Sequence, residues 1–94
     1  MTAGQIKVTV RLYGAARVAL RCRERELTLP QGATVAGLVD ELVREVGPLA
    51  REYLVGPGGR GYAVAFSVDG EAAQPEARLR DGDQVALLPP TAGG

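Results

Sequence analysis

The 94-residue chain carries eleven basic residues, eleven acidic ones, one cysteine and no histidine. A chain of this length supports one core, with one sheet under one helix as a realistic ceiling, and its balanced charge creates no overall field toward nucleic acid or an anionic membrane. The missing histidine and the lone Cys22 remove an internal disulfide, most metal sites and every histidine-based acid–base or triad mechanism. One domain over residues 1–94 is expected. No apolar run approaches bilayer length and "MTAGQIKV" lacks a signal pattern, so the expected compartment is the cytoplasm.

Residues 5–13, "QIKVTVRLY", alternate with period two. Ile6, Val8, Val10 and Leu12 share one face and Lys7, Thr9 and Arg11 the other, which predicts a strand with one buried face. Gly14 interrupts it, and "AARVAL" reads as a short connection containing a turn. A second strand is predicted over 23–29, charged at its start and apolar only at Leu27 and Leu29. Cys22, among arginines, reads either as a small half-buried strand residue or as a thiol made reactive by its neighbours.

Val35, Leu38, Val39, Leu42, Val43 and Val46 fall on one helical face. Thr34 stands at the N-cap position and Gly47-Pro48 supplies the stop, with Gly37 the one weak helix former between them. "PLAREYL" predicts a short helical turn. "VGPGGRG", residues 55–61, lacks the Lys-Ser/Thr ending of a phosphate loop, and no helix pattern follows, so it reads as a flexible surface loop. Residues 62–69 predict a third strand with Tyr62, Val64, Phe66 and Val68 on one face, followed by an Asp69-Gly70 turn. A weak strand broken by Pro75, a turn at "RDGDQ" and a last strand over 85–88 complete the chain. The result is an α+β domain: a mixed sheet of about five strands covered by one main helix, with a free C-terminal tail. The first two strands are expected to form a hairpin, and the first and last to pair in the middle of the sheet.

The tail is "PPTAGG". Pro89 and Pro90 end sheet pairing and favour an extended path. Six residues reach at most about 20 Å, and Gly93 and Gly94 let the backbone enter a channel too narrow for side chains. The α-carboxylate of Gly94 is the chain's one chemically distinctive group. Adenylation would give it a good leaving group, after which sulfur would leave a thiocarboxylate and an amine an amide. ATP, Mg²⁺ and acid–base groups for that chemistry would come from a partner.

The sequence resembles the ubiquitin-like β-grasp sulfur carriers, and most closely the small subunits of molybdopterin synthase. The likeness runs through "IKVTVRLYGAAR", "LPQGATVAGLVDEL", "FSVDGE" and, most specifically, "LRDGDQVALLPPTAGG". It implies a β-grasp fold and a non-catalytic carrier in molybdenum-cofactor synthesis. An activating enzyme would adenylate Gly94 with ATP and Mg²⁺, and a donor such as a persulfide would convert it to the thiocarboxylate. Pro89, Pro90, Thr91, Ala92 and Gly93 would then thread the active site of the large catalytic subunit, where sulfur passes to a pterin precursor. Three departures are visible: Thr91 replaces an aliphatic residue, the usual Glu after "GAAR" is absent, and "GPGGRG" lengthens a loop. A longer loop also occurs in carriers for cysteine synthesis. Carriers for thiamine, cysteine or tRNA thiolation, a ubiquitin-like protein modifier and an inert β-grasp module remain as alternatives.

Strand parity adds a docking expectation. With Val85 and Leu87 turned to the helix, Ala86 and Leu88 face away and form part of an apolar patch beside Pro89. Arg11, Arg78 and Arg80 either ring that patch or are ordinary solvated strand charges.

Overall fold

A computed structural model describes residues 4–89. Strand β1, Gln5–Leu12, follows the period-two pattern in its burial: Ile6, Val8, Val10 and Leu12 are buried, while Lys7 and Arg11 are exposed. It is flanked on both sides. Strand β2, Glu24–Pro30, pairs antiparallel with it, and strand β5, Gln84–Leu88, pairs parallel with it. Strand β3, Ala65–Val68, pairs antiparallel with β5 and with β4, Glu71–Ala73. The sheet order is β2-β1-β5-β3-β4. The first and last strands therefore lie inside the sheet, as expected.

Helix α2, Val35–Val46, lays Val35, Leu38, Val39 and Leu42 on one face of the sheet. Its start is set by Thr34, whose hydroxyl oxygen accepts the N–H of Gly37 at 3.2 Å. Gly47, at φ 116°, donates its N–H to the Val43 carbonyl at 2.8 Å and ends the helix. Helix α3, Leu49–Leu54, adds Ala50 and Leu54 to the core. Each fully buried Leu or Val contributes roughly 1.5–3 kcal/mol relative to exposure. The buried set is entirely apolar.

Two local expectations need correction. "AARVAL" is not a connection containing a turn: Gly14–Leu20 form helix α1. Ala, Arg and Leu favour helix strongly, but the helix buries only Ala16, so no amphipathic stripe announces it. It ends at Arg21, in the left-handed region at φ 52°. Because α1 lies between them, β1 and β2 pair antiparallel without forming a tight hairpin. The third strand is shorter than 62–69, because Tyr62 instead bridges Val55 across the base of the glycine-rich loop. That loop is closed at its base by hydrogen bonds. Gly56 donates to Gly61 and Gly59 donates to Gly56, closing it on itself.

The start of β5 is held tightly. The Asp81 carboxylate accepts the Lys7 N–H at 2.7 Å, and Asp83 accepts the Arg80 N–H at 2.8 Å. Asp69 accepts the Gln84 N–H at 3.0 Å. These bonds fix the register of the strand from which the tail departs.

Candidate functional site

Strand β5 lies between two neighbours, so its last residue has a defined position. Leu87 is completely buried opposite Leu12 and Phe66. Ala86 and Leu88 face the other side of the sheet and are half-buried. Ala86 pairs with Arg11 on one side and Ser67 on the other, and Leu88 pairs with Ala65. This is the face that α2 leaves uncovered.

Pro89 follows directly and is exposed. Its ring rests against Gly14, the first residue of α1: a Cβ placed on Gly14 would lie 3.2 Å from Pro89 Cγ and 3.3 Å from Pro89 Cβ. Gly14 also has φ 65°, in the left-handed region. A side chain at position 14 would thus meet both backbone strain and the tail root. Pro89 lines a small depression together with Tyr13, Ala16, Tyr53 and Val64. The other tail positions, Pro90, Thr91, Ala92, Gly93 and Gly94, lie outside the described residues.

Sequence reasoning did not single out Tyr13, Gly14, Ala16 or Tyr53 as surroundings of the tail. The one available signal was the glycine that ends the β1 alternation. Nor do the three arginines act together. Arg11 lies on the uncovered face, where Glu24 accepts from its Nε at 3.1 Å. That hydrogen bond, supplemented by Tyr13, holds the guanidinium pKa above its ordinary value. Arg78 and Arg80 instead lie near the start of β5, around a hollow with Asp69, Glu71 and Asp83. They do not ring Leu88 and Pro89.

Cys22 is half-buried, with its thiol 3.7 Å from the Glu24 carbonyl. Its neighbour Arg25 is turned toward α2 and pairs with Glu45 at 3.1 Å. Among the described residues, no group of three His, Cys, Asp or Glu side chains is placed to hold a metal ion. The largest depression is walled by Pro48, Val55, Gly56 and Ala63, with Arg51 and Glu52 as its charged residues. No described helix is long and apolar enough to cross a membrane.

A mixed five-stranded sheet with its terminal strands paired at the centre and its helices packed on one face is the ubiquitin-like β-grasp. In keeping with this, the fold superposes on Caldiarchaeum subterraneum ubiquitin with a TM-score of 0.58 at 18% identity, covering 97% of this chain and 100% of that one. Residues 10–94 match the ThiS family model, and the chain belongs to the ThiS family.

Two solved structures are more similar. SAMP1 from Haloferax volcanii is 27% identical, with a TM-score of 0.81 over 94% of this chain and 99% of that one. A putative molybdopterin converting factor, subunit 1, from Pyrococcus furiosus is 30% identical, with a TM-score of 0.74 over 92% and 99%. No curated protein matches the sequence significantly. The chain is a ubiquitin-like small protein of the ThiS family, a sulfur carrier or modifier.

Proposed function

We propose that the protein is a non-catalytic sulfur carrier for molybdopterin synthesis, with Gly94 as the residue that bears the sulfur. The observation that carries this reading is the rooting of the tail. A strand held on both sides and pinned at its start delivers Pro89 onto Gly14, beyond which the last five residues continue. The pathway is favoured by the 30% identity to the Pyrococcus furiosus protein, whose name places it in molybdopterin conversion.

The chemistry follows from the carboxylate. A Gly94 oxygen attacks the α-phosphorus of ATP, forming the acyl adenylate and releasing pyrophosphate. A sulfur nucleophile, such as a persulfide on a donor protein, then attacks the acyl carbon and AMP leaves. Reductive cleavage of the resulting acyl disulfide by a thiol leaves the thiocarboxylate on Gly94. Mg²⁺ and the groups that polarise the phosphate belong to the adenylating partner. In the next step a large catalytic subunit takes the tail and passes the sulfur to a pterin precursor. Glycine suits both steps because no side chain crowds the attacked carbon.

A second reading is protein modification, favoured by the likeness to SAMP1. The adenylate is common to both, and the nucleophile decides the outcome: a target lysine would leave an isopeptide bond on Gly94. Pathway is tested by mixing the thiocarboxylated chain with a molybdopterin synthase large subunit and a pterin precursor. Dithiolene formation, with Gly94 returned to the carboxylate, is the expected result. Gly94 found joined to lysines in cell extracts, with no sulfur transfer in that assay, would select the modifier instead.

A further inference from the structure

The neutral net charge conceals a division. Residues 1–25 hold six basic residues and one acidic one, while the remaining residues hold five and ten. The fold gathers only part of this excess at one end: Lys7 lies beside Asp81 at the far end, and Arg25 pairs with Glu45. Strands β1 and β5 are parallel, so Leu12 and Leu88 reach the same edge, where α1 and the start of β2 also lie. Arg11, Arg17 and Arg23 surround one depression with Leu12 and Tyr13, and Tyr13 also lines, with Pro89, a second depression. At the other end of β5, Asp69, Asp81 and Asp83 are bonded to backbone N–H groups.

Arg17 and Arg23 are exposed and make no ion pair among the described residues. Next to Arg17 stands Val18, 77% exposed, the most exposed large apolar residue described. We propose that Arg11, Arg17 and Arg23 form a docking collar for a carboxylate-rimmed surface of the adenylating enzyme, around the active site that receives the tail. This rests on the reading of Gly94 as the reacting residue. The reach of the tail supports it: five residues beyond Pro89 extend at most about 18 Å. A protein pocket that encloses Gly94 must therefore lie over the ground around Pro89, which is where the arginines stand. A polyanion such as RNA has the complementary charge but offers no enclosed site for a tail, so an acidic protein fits better.

Exposed charges of this kind act mainly on encounter rate and register, and salt screens them. The test compares wild type, the double reversal Arg17→Glu/Arg23→Glu, the milder Arg17→Gln/Arg23→Gln, and Arg78→Glu/Arg80→Glu at the opposite end. Association with the purified adenylating enzyme of the same cells is followed by stopped flow at low and high salt, and Gly94 modification is followed separately. The collar reversal is expected to slow association about tenfold or more at low salt and to flatten the salt dependence, with kcat unchanged. The glutamine pair should fall between, and the distal reversal should match wild type. Thermal unfolding checks that every variant is folded.

Equal association by wild type and the collar reversal would overturn the proposal, as would an equal loss in the distal variant. Arginine-dependent binding to a single-stranded RNA or anionic vesicle, but not to the enzyme, would also overturn it. Wild type that associates in a salt- and arginine-dependent way but is never modified at Gly94 would keep the collar and sink the sulfur-carrier reading. Modified wild type indifferent to the arginines would do the reverse.

Discussion

Gly14 meets Pro89, the first residue of the tail. Its left-handed φ and its contact with Pro89 are two separate demands for a missing side chain. Gly14→Val is expected to destabilise the fold by about 1–2 kcal/mol through backbone strain and to slow Gly94 modification about tenfold by displacing the root. Adding Pro89→Gly should recover part of the rate but not the stability. A rate that tracks stability alone in the double variant would argue against a positioning role. Gly56 makes a different demand: a Cβ there would lie 2.2 Å from the Arg60 carbonyl oxygen. Gly56→Ala should therefore cost about 1–3 kcal/mol in urea unfolding. The sequence marks Gly14 as the end of a strand. It cannot mark the contact with Pro89, because that depends on a parallel pairing between the two ends of the chain.

Among the elements, α2 was the most legible, since its apolar spacing, cap and stop all agree. Thr34→Ala should cost about 1 kcal/mol by removing the bond to the Gly37 N–H. Gly37→Ala should stabilise by about 0.5–1 kcal/mol, because its backbone is not in the left-handed region and the new methyl would meet only Thr34 Oγ1, at 3.7 Å. Both are read from thermal unfolding. The same helix carries a pH-dependent pair. Arg44 donates to both Glu41 oxygens at 3.0 Å, and this bond holds the Glu41 carboxyl below its ordinary range. Its stabilisation is present above the ordinary glutamate pKa and disappears as pH falls through the lowered one. Wild type should therefore melt above Glu41→Gln at neutral pH and converge with it in acid. Helix α1 stayed hidden for the opposite reason to α2: its propensity is high, but a helix lying mostly in solvent leaves no periodic stripe. Of the apolar residues predicted for the third strand, Phe66 and Val68 lie in β3, whereas Tyr62 and Val64 precede it because the ladder begins only at Ala65.

At the scale of the whole molecule, the proposed function separates chemistry from scaffold. The described body has an apolar core, no histidine and no clustered metal ligands. What it supplies is placement: an interior strand, a pinned start, a glycine under the first proline and arginines beside the exit. The sequence marks the tail through "PPTAGG", of which only Pro89 lies within the described residues. The surroundings of Pro89 were not legible, since they gather Tyr13, residues of α1 and α3, and Val64. The charge division could have been found by counting arginines along the chain, but its meaning depends on which edge the tail leaves.

The most direct test of the account is intact-mass measurement after incubation with an adenylating enzyme, ATP, Mg²⁺ and a persulfide donor. One oxygen should be exchanged for one sulfur, fragment spectra should place it on Gly94, and a chain lacking Gly94 should stay unchanged. A wild-type chain that emerges with its mass unaltered, or with sulfur on Cys22 instead, would contradict it.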